Sequence, residues 1–287
     1  RYDIYLGIKY EGQVAMKDTT QEFLKSLSKI GDKATFHGNY KFKAPLLNID
    51  AAGGCADGFS PVINFVTREP GDVARTLVLL LSGKKWGEDI IASANSQLKK
   101  ELFSDRWLPA TLFRDFQKTF PNSALVLDTG LFCTVGETVW RARSPEFFLG
   151  SSVGRFMGSS IPTAIGFAIS SEKRILSVSG DGGIIPYVTE IKIAVQRKLP
   201  ILFLFMSDGG YGSVGISGRA KGLLSRAFEF ESSWWRVVKA LGCEAKSIGN
   251  KIEFNDAIIA WKKKKGPLFL EARFDAGKYA DMANRLR

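Results

Sequence analysis

Histidine is almost missing from this chain: a single imidazole, His37, stands among 287 residues. Any Ser-His-Asp arrangement would have to be built on that one residue, in a segment (TFHGNY) without a nucleophile-elbow pattern, so ordinary hydrolase chemistry is disfavoured. Cysteine is scarce as well. Cys55, Cys133 and Cys243 lie far apart with no Cys-x-x-Cys pair, which argues against a zinc site, an iron–sulfur cluster or a disulfide framework. All three read as small buried hydrophobes. No run of about 18 uncharged apolar residues appears, so no membrane span is expected. The opening RYDIYLGIKY lacks the basic region, apolar stretch and cleavage site of a secretory signal, and a cytoplasmic location is the expectation.

Acidic residues are also in short supply. Asp and Glu number 29 against 40 Lys and Arg, a net charge of +11, which fits either a nucleic-acid binder or a basic protein that handles anions. The densest run, WKKKKGP at 261–267, follows the apolar pattern FNDAIIAW and falls where a helix should end. Lysines there complement the helix dipole and stay solvated. No aromatic-rich basic stripe accompanies the run, so neither a nucleic-acid nor a membrane partner is expected from it.

What is present is an alternating α/β pattern in a 45% hydrophobic chain of one or two domains. Near the start come a strand (DIYLGI), a helix (KDTTQEFLKSLSKIG), a strand (LLNID) and a second helix (GDVARTLVLLLSG). These are too few strands for a complete doubly wound sheet, and residues 1–85 read as part of a domain. Residues 86–108 are mixed and read as a linker. From 109 to 287 the pattern is regular, with strands ALVLD, RILSVS, ILFLFM, EAKSI and PLFLEAR separated by helices such as ATLFRDFQKTF, GSSIPTAIGFAIS and SSWWRVVKALG. Strands separated by helices pair in parallel through right-handed crossovers. The expected fold is therefore a doubly wound, mostly parallel sheet with helices on both faces. The crossover helix after RILSVS is expected to begin at Pro186 and to face the sheet through Tyr187, Ile191, Ala194 and Val195. In the next helix, Trp234, Val237, Val238 and Leu241 form the apolar stripe and Trp235 reads as core.

RILSVS and ILFLFM each end within two residues in Asp-Gly-Gly, so Asp181 and Asp208 recur at equivalent positions. If the two strands are neighbours, both carboxylates emerge on the carboxyl edge of the sheet, where open α/β sheets bind ligands. Adjacent carboxylates repel unless a cation sits between them. Mg²⁺ suits such a pair, completing its octahedron with carbonyls, water and phosphate, while bare glycine N–H groups can close on a diphosphate. Taken singly, each Asp-Gly-Gly is equally a tight turn in which Asp caps the next helix.

The stretch GDGGIIPYVTEIKIAVQRKLPILFLFMSDGGYG resembles the thiamine-diphosphate signature of the acetolactate synthase and pyruvate decarboxylase superfamily. LPATLFRDFQKTFPNSALVLDTG is similar to the opening of that family's diphosphate-binding domain, and GSSVGRFMGSSIPTAIGFAIS to its Met-Gly-x-x-x-Pro-x-Ala-Ile-Gly segment. The similarity covers about 109–287, and residues 1–85 resemble the second half of the family's middle, Rossmann-like domain. The resemblance implies thiamine diphosphate and Mg²⁺ as cofactors. Asp181 would ligate the metal, with Asp208 in place of the usual Asn and Gly210 through its carbonyl. Gly180, Gly182 and Gly183 would offer backbone to the diphosphate, and Met157 would prop the cofactor in its bent form. Backbone groups of Met157 and Arg155 would bond the aminopyrimidine, and Tyr211 either faces the cofactor or packs behind the metal loop. Residues 213–230 would form a cover over the site or an ordinary surface loop.

Leu131 and Phe132 stand where relatives often have polar side chains, and Arg155 where they commonly have Gly. No catalytic residue is assigned to this chain, because the relay Glu of the family belongs to a separate pyrimidine-binding domain or subunit. The implied activity is decarboxylation or carboligation of 2-oxo acids in a homo-oligomer, with this chain a half-site. Two alternatives are the β subunit of a split decarboxylase or oxidoreductase and a non-catalytic diphosphate-binding module.

Overall fold

A computed structural model describes residues 5–8, 40–50, 59–66, 72, 75, 88–105, 107–150, 156–171, 173–212, 214–215, 218, 221–222 and 233–285. His37, Cys55, Arg155 and the helix expected at KDTTQEFLKSLSKIG lie outside the described residues. The chain divides into two compact units between Leu98 and Lys99.

In the first unit, strands β1 (Tyr5–Ile8), β2 (Tyr40–Asp50) and β3 (Phe59–Val66) form a parallel sheet in that order. β2 is longer than the expected LLNID, and its register against β3 shifts between Lys41 and Leu46. β3 was not foreseen. Asp72 and Arg75, within the second expected helix, are helical and ion-paired. Helix α1 (Glu88–Leu102) occupies much of the segment read as a linker.

The second unit is a six-stranded, wholly parallel sheet, as the alternating pattern required. Its elements are α2 (Pro109–Thr119), β4 (Ala124–Leu127), α3 (Leu131–Val139), β5 (Phe148–Gly150), α4 (Ser160–Ser171), β6 (Ile175–Ser179), α5 (Asp181–Ile184), α6 (Ile191–Gln196), β7 (Ile201–Ser207), α7 (Trp234–Ala240), β8 (Glu244–Ile248), α8 (Lys251–Lys262), β9 (Leu268–Arg273) and α9 (Ala276–Arg285). The strand order is β5-β4-β6-β7-β9-β8.

Strand alternation divides the core between two faces. Ala124, Val126, Ile175, Phe203, Phe205 and Phe269 join Ile161 and Ile165 of α4, Ile191 and Ala194 of α6 and Val238 of α7 in one buried cluster. The alternate residues point the other way, where α3 and α2 come close: a Cβ on Gly136 would lie 3.0 Å from Leu127 and 3.1 Å from Phe113. Aromatic contacts extend that second layer, with Phe116 against Trp140 (6.3 Å between centroids) and Phe120 edge-on to Trp261 (5.4 Å). α8 begins at an Asn250 cap whose side chain accepts from the Glu253 N–H at 3.0 Å, while the Glu253 carboxylate accepts from the Gly249 N–H at 2.8 Å. That reciprocal pairing satisfies two otherwise orphaned donors and sets the helix three residues earlier than the apolar pattern suggested.

Some expectations for the helices need correction. Pro186 does not open the crossover helix: residues 185–187 turn, Val188–Glu190 is a 3-10 turn and α6 starts at Ile191. Tyr187 is consequently 40% exposed rather than facing the sheet, and Val195 is half-buried. In α7, Val237 is 45% exposed and only Val238 of the expected stripe is fully buried, with both indoles half-buried against the core cluster. A helix of seven residues makes about two turns, and only its Val238 is fully buried in the core cluster. Cys243 is buried as expected, whereas Cys133 is only half-buried, its thiol donating to the Asp128 carbonyl. Among the described residues, no helix is long and apolar enough to cross a membrane.

Candidate functional site

Parallel pairing places the carboxyl ends of β4, β6 and β7 side by side, and an aspartate follows each strand: Asp128, Asp181 and Asp208. Ser179 pairs with Phe205, so the chain leaving β6 meets the chain leaving β7. The Asp181 carboxylate accepts from the Ser207 hydroxyl at 3.0 Å and from the Asp208 N–H at 3.2 Å. The side chain of Asp208 lies against Asp181, and the Gly210 N–H is turned to both carboxylates. Burial first, and then the Asp181 charge, push the Asp208 carboxyl up to about 7; burial pushes Asp181 up as well.

A buried acid beside a half-buried one whose proton affinity it raises is either sharing a proton with it or waiting for a cation. Among the described residues, no group of three or more His, Cys, Asp or Glu could hold a metal ion by itself. The pair therefore suits a hard ion that takes one or two carboxylates and keeps water and phosphate as its remaining ligands.

Asp128 was not singled out from the sequence. Its carboxylate is fully buried and accepts from the Gly158 N–H at 2.8 and 2.9 Å, from the Thr129 N–H at 2.7 Å and from the Ser160 hydroxyl at 3.4 Å. Burial raises its proton affinity, and these donors oppose the rise. Gly158 has φ +93°, a conformation that L side chains rarely adopt, so Asp128 holds the entrance to α4 in a shape only glycine tolerates well. The signal available in the sequence was positional: Asp128 follows ALVL just as the other two acids follow their strands.

The glycines around the pair are tightly enclosed. A Cβ on Gly183 would collide with the Asp128 carboxylate, and one on Gly180 would sit 3.0 Å from the Phe132 ring. At Gly182 it would run into the Tyr211 ring and come within 3.1 Å of the Met157 sulfur. The structure thus gathers Met157, Gly180, Asp181, Gly182, Gly183, Asp208, Gly210 and Tyr211 at one edge. Met157 is 50% exposed and Phe156 69% exposed beside it, so an apolar lip borders the acids. Phe132 and Leu131 are buried, with Leu131 behind Gly212 and next to Asp208. A hydroxyl lies deeper: Tyr279 of α9 is buried, its OH is turned to the Phe132 backbone without a hydrogen bond of ordinary geometry among the described residues, and Asp208 and Asp181 are among the charges it feels. A cavity of about 300 Å³ lies elsewhere, lined by Glu101, Leu102, Asp105, Lys278 and Met282, and it contains none of the expected site residues.

Residues 128–272 match the sequence family described as thiamine pyrophosphate enzyme, C-terminal TPP binding domain. Among curated proteins, the acetolactate synthase of Bacillus subtilis (strain 168) is 22% identical over 196 residues, covering 66% of this chain and 33% of that protein. The catabolic acetolactate synthase of Raoultella terrigena is 32% identical over 201 residues, covering 62% of this chain and 34% of that protein. The crystal structure of benzoylformate decarboxylase from Polynucleobacter necessarius superimposes with a TM-score of 0.66 at 16% identity, over 81% of this chain and 45% of that one. The chain spans about a third of the length of these curated relatives.

Proposed function

This chain belongs to the thiamine pyrophosphate enzymes, through their C-terminal TPP-binding domain, and from that premise we propose that it is the diphosphate- and metal-binding portion of an acetolactate synthase-like enzyme acting on 2-oxo acids. The observation that carries the reading is the convergence of Asp181 and Asp208 at adjacent strand ends. The donor set fits the cofactor's diphosphate with its metal: two facing acids that otherwise share a proton can release it to a divalent cation, and Mg²⁺ bound by two acids keeps sites for phosphate oxygens. Asp181, Asp208 and the Gly210 carbonyl would hold the ion, and the backbone of Gly180, Gly182 and Gly183 would face the diphosphate.

Bound thiamine diphosphate supplies a nucleophilic thiazolium carbon and an electron sink for breaking or making the bond beside a 2-oxo group. The chain's own contribution is binding and orientation. Met157 and Tyr211, which crowd Gly182, would support the cofactor's rings, and Arg155 and Met157 would offer backbone to the aminopyrimidine. The apolar lip at Phe156 and Met157 excludes water and lowers the local dielectric. Asp128 fixes Gly158 and through it the start of α4. The proton relay requires a Glu from a pyrimidine-binding domain or subunit in a homo-oligomer, which makes the chain alone inactive.

Calorimetric titration with thiamine diphosphate and Mg²⁺, set against ADP, tests the reading. Selective binding of thiamine diphosphate supports it, equal binding of ADP points to a general diphosphate module, and pyruvate consumption by this chain alone would refute its being a half-site.

A further inference from the structure

The amino rim of the same sheet, opposite the acids, collects basic residues that are scattered in the sequence. Lys173 and Arg174 precede β6, Arg197 and Lys198 precede β7, and Lys262–Lys265 precede β9. Those three strands are consecutive neighbours, so the turns leading into them lie side by side within about 10 Å, two interstrand spacings. Direct contacts tie the turns together: the Arg174 guanidinium donates to the Lys262 carbonyl at 2.9 Å, the Ile175 N–H to the Pro200 carbonyl at 3.1 Å, and Gly266 lies against the Lys198 Cα.

Among the described residues, counter-charges are few. Lys264 pairs with Glu244 at 2.8 Å, and Lys173 lies over the Phe147 ring with Glu146 near it. Arg197, Lys198, Lys262, Lys263 and Lys265 are exposed and make no ion pair among the described residues. A row of unpaired cations on one rim repels itself and lowers the stability of the fold unless an anion lies across it.

We infer that this rim docks a nucleic-acid phosphate backbone, without reading its sequence. The rim consists of turns rather than a pocket, which suits an extended polyanion better than a small metabolite. The aromatic faces at the rim are committed inward, since Arg174 lies over Phe120 and over Trp261, both buried. Lys173 covers the half-buried Phe147 ring in the same way, so among the described residues the rings at the rim are already faced by cations, and phosphate contact is the chemistry that remains. The inference goes beyond the cofactor reading and does not rest on it.

The test is fluorescence anisotropy of a labelled mixed-sequence DNA duplex with the full chain, with phosphatidylcholine–phosphatidylserine vesicles as a competitor. The expected result is binding at about 50 mM salt that weakens on the order of 100-fold by about 200 mM, as release of counterions from about four phosphates requires. The triple reversal Arg197→Glu, Lys263→Glu and Lys265→Glu should weaken binding at least about tenfold and flatten the salt slope, by about 0.9 per lost contact. The variant's thermal midpoint should be no lower than the parent's, since the reversal relieves the repulsion along the rim, and its thiamine diphosphate binding should stay as in the parent. No duplex binding at the lower salt, or binding that the triple reversal leaves unchanged, overturns the inference. So does displacement of the duplex by the vesicles, which would assign the rim to an anionic membrane surface.

Discussion

Asp208→Asn keeps the shape of the side chain and deletes its charge, so it isolates what the second carboxylate costs. In the parent, burial and the neighbouring Asp181 push the Asp208 carboxyl from 3.8 up to about 7. A carboxyl whose folded value lies above its unfolded one takes up a proton on folding. Its favourable contribution is therefore complete below about pH 4, shrinks as pH rises and is gone above about 7. Taken at face value that gap corresponds to ~4 kcal/mol, and solvent screening of a half-buried group brings it to about 2 kcal/mol. In metal-free buffer at pH 8, Asp208→Asn should thus be more stable than the parent by about 2 kcal/mol, a rise of roughly 4–8 °C in Tm for a unit of this size. Near pH 4 the two should melt together. Adding millimolar Mg²⁺ at pH 8 should raise the parent's Tm and move the variant's much less, because the cation relieves a repulsion the variant no longer has. Thermal melts at the two pH values with and without Mg²⁺ decide the matter. A variant no more stable than the parent at pH 8, or an equal Mg²⁺ shift in both, would refute the reasoning.

Other substitutions probe the frame around the pair. Gly183→Ala drives a methyl into the Asp128 carboxylate and should cost about 1–3 kcal/mol in a urea titration, with loss of thiamine diphosphate binding. Glu271→Ala removes a buried carboxylate that accepts from the Trp235 N–H at 2.9 Å and pairs with Arg273 at 2.8 Å. Because the Arg273 charge is half exposed, the expected loss is about 2 kcal/mol rather than that of a fully buried pair, again read from urea denaturation. Tyr279→Phe deletes a buried hydroxyl that has no hydrogen bond of ordinary geometry among the described residues, only an approach to the Phe132 backbone, and should leave the chain as stable as the parent or about 1 kcal/mol more stable; a clear loss of stability would mean that the approach to Phe132 is a formed hydrogen bond in solution.

The parts of the fold legible in the sequence were those where periodicity and burial agree. EAKSI is a strand over the whole of 244–248, and RILSVS and ILFLFM lie in neighbouring parallel strands. α3 escaped notice because LFCTVGETV carries Gly, Cys and β-branched residues, and its helicity comes from packing against Leu127 and Phe113. α9 was hidden by its polarity, its buried groups reducing to residues such as Tyr279 and Met282. The acids at 181 and 208 could be found because they repeat at strand ends. Asp128 could not be valued in the same way, since its role depends on Gly158, thirty residues later. The basic rim was invisible for a similar reason: three turns became one surface only through the strand order.

On this reading the Asp181–Asp208 edge takes up a divalent cation together with the diphosphate of thiamine. The most direct test is calorimetric titration of the chain with thiamine diphosphate, in Mg²⁺ and in EDTA, with Asp181→Ala run alongside. Saturable heat is expected in Mg²⁺ and should vanish in EDTA and in Asp181→Ala. Binding that persists undiminished in EDTA or in that variant would contradict the reading, as would the absence of binding by the parent chain in Mg²⁺.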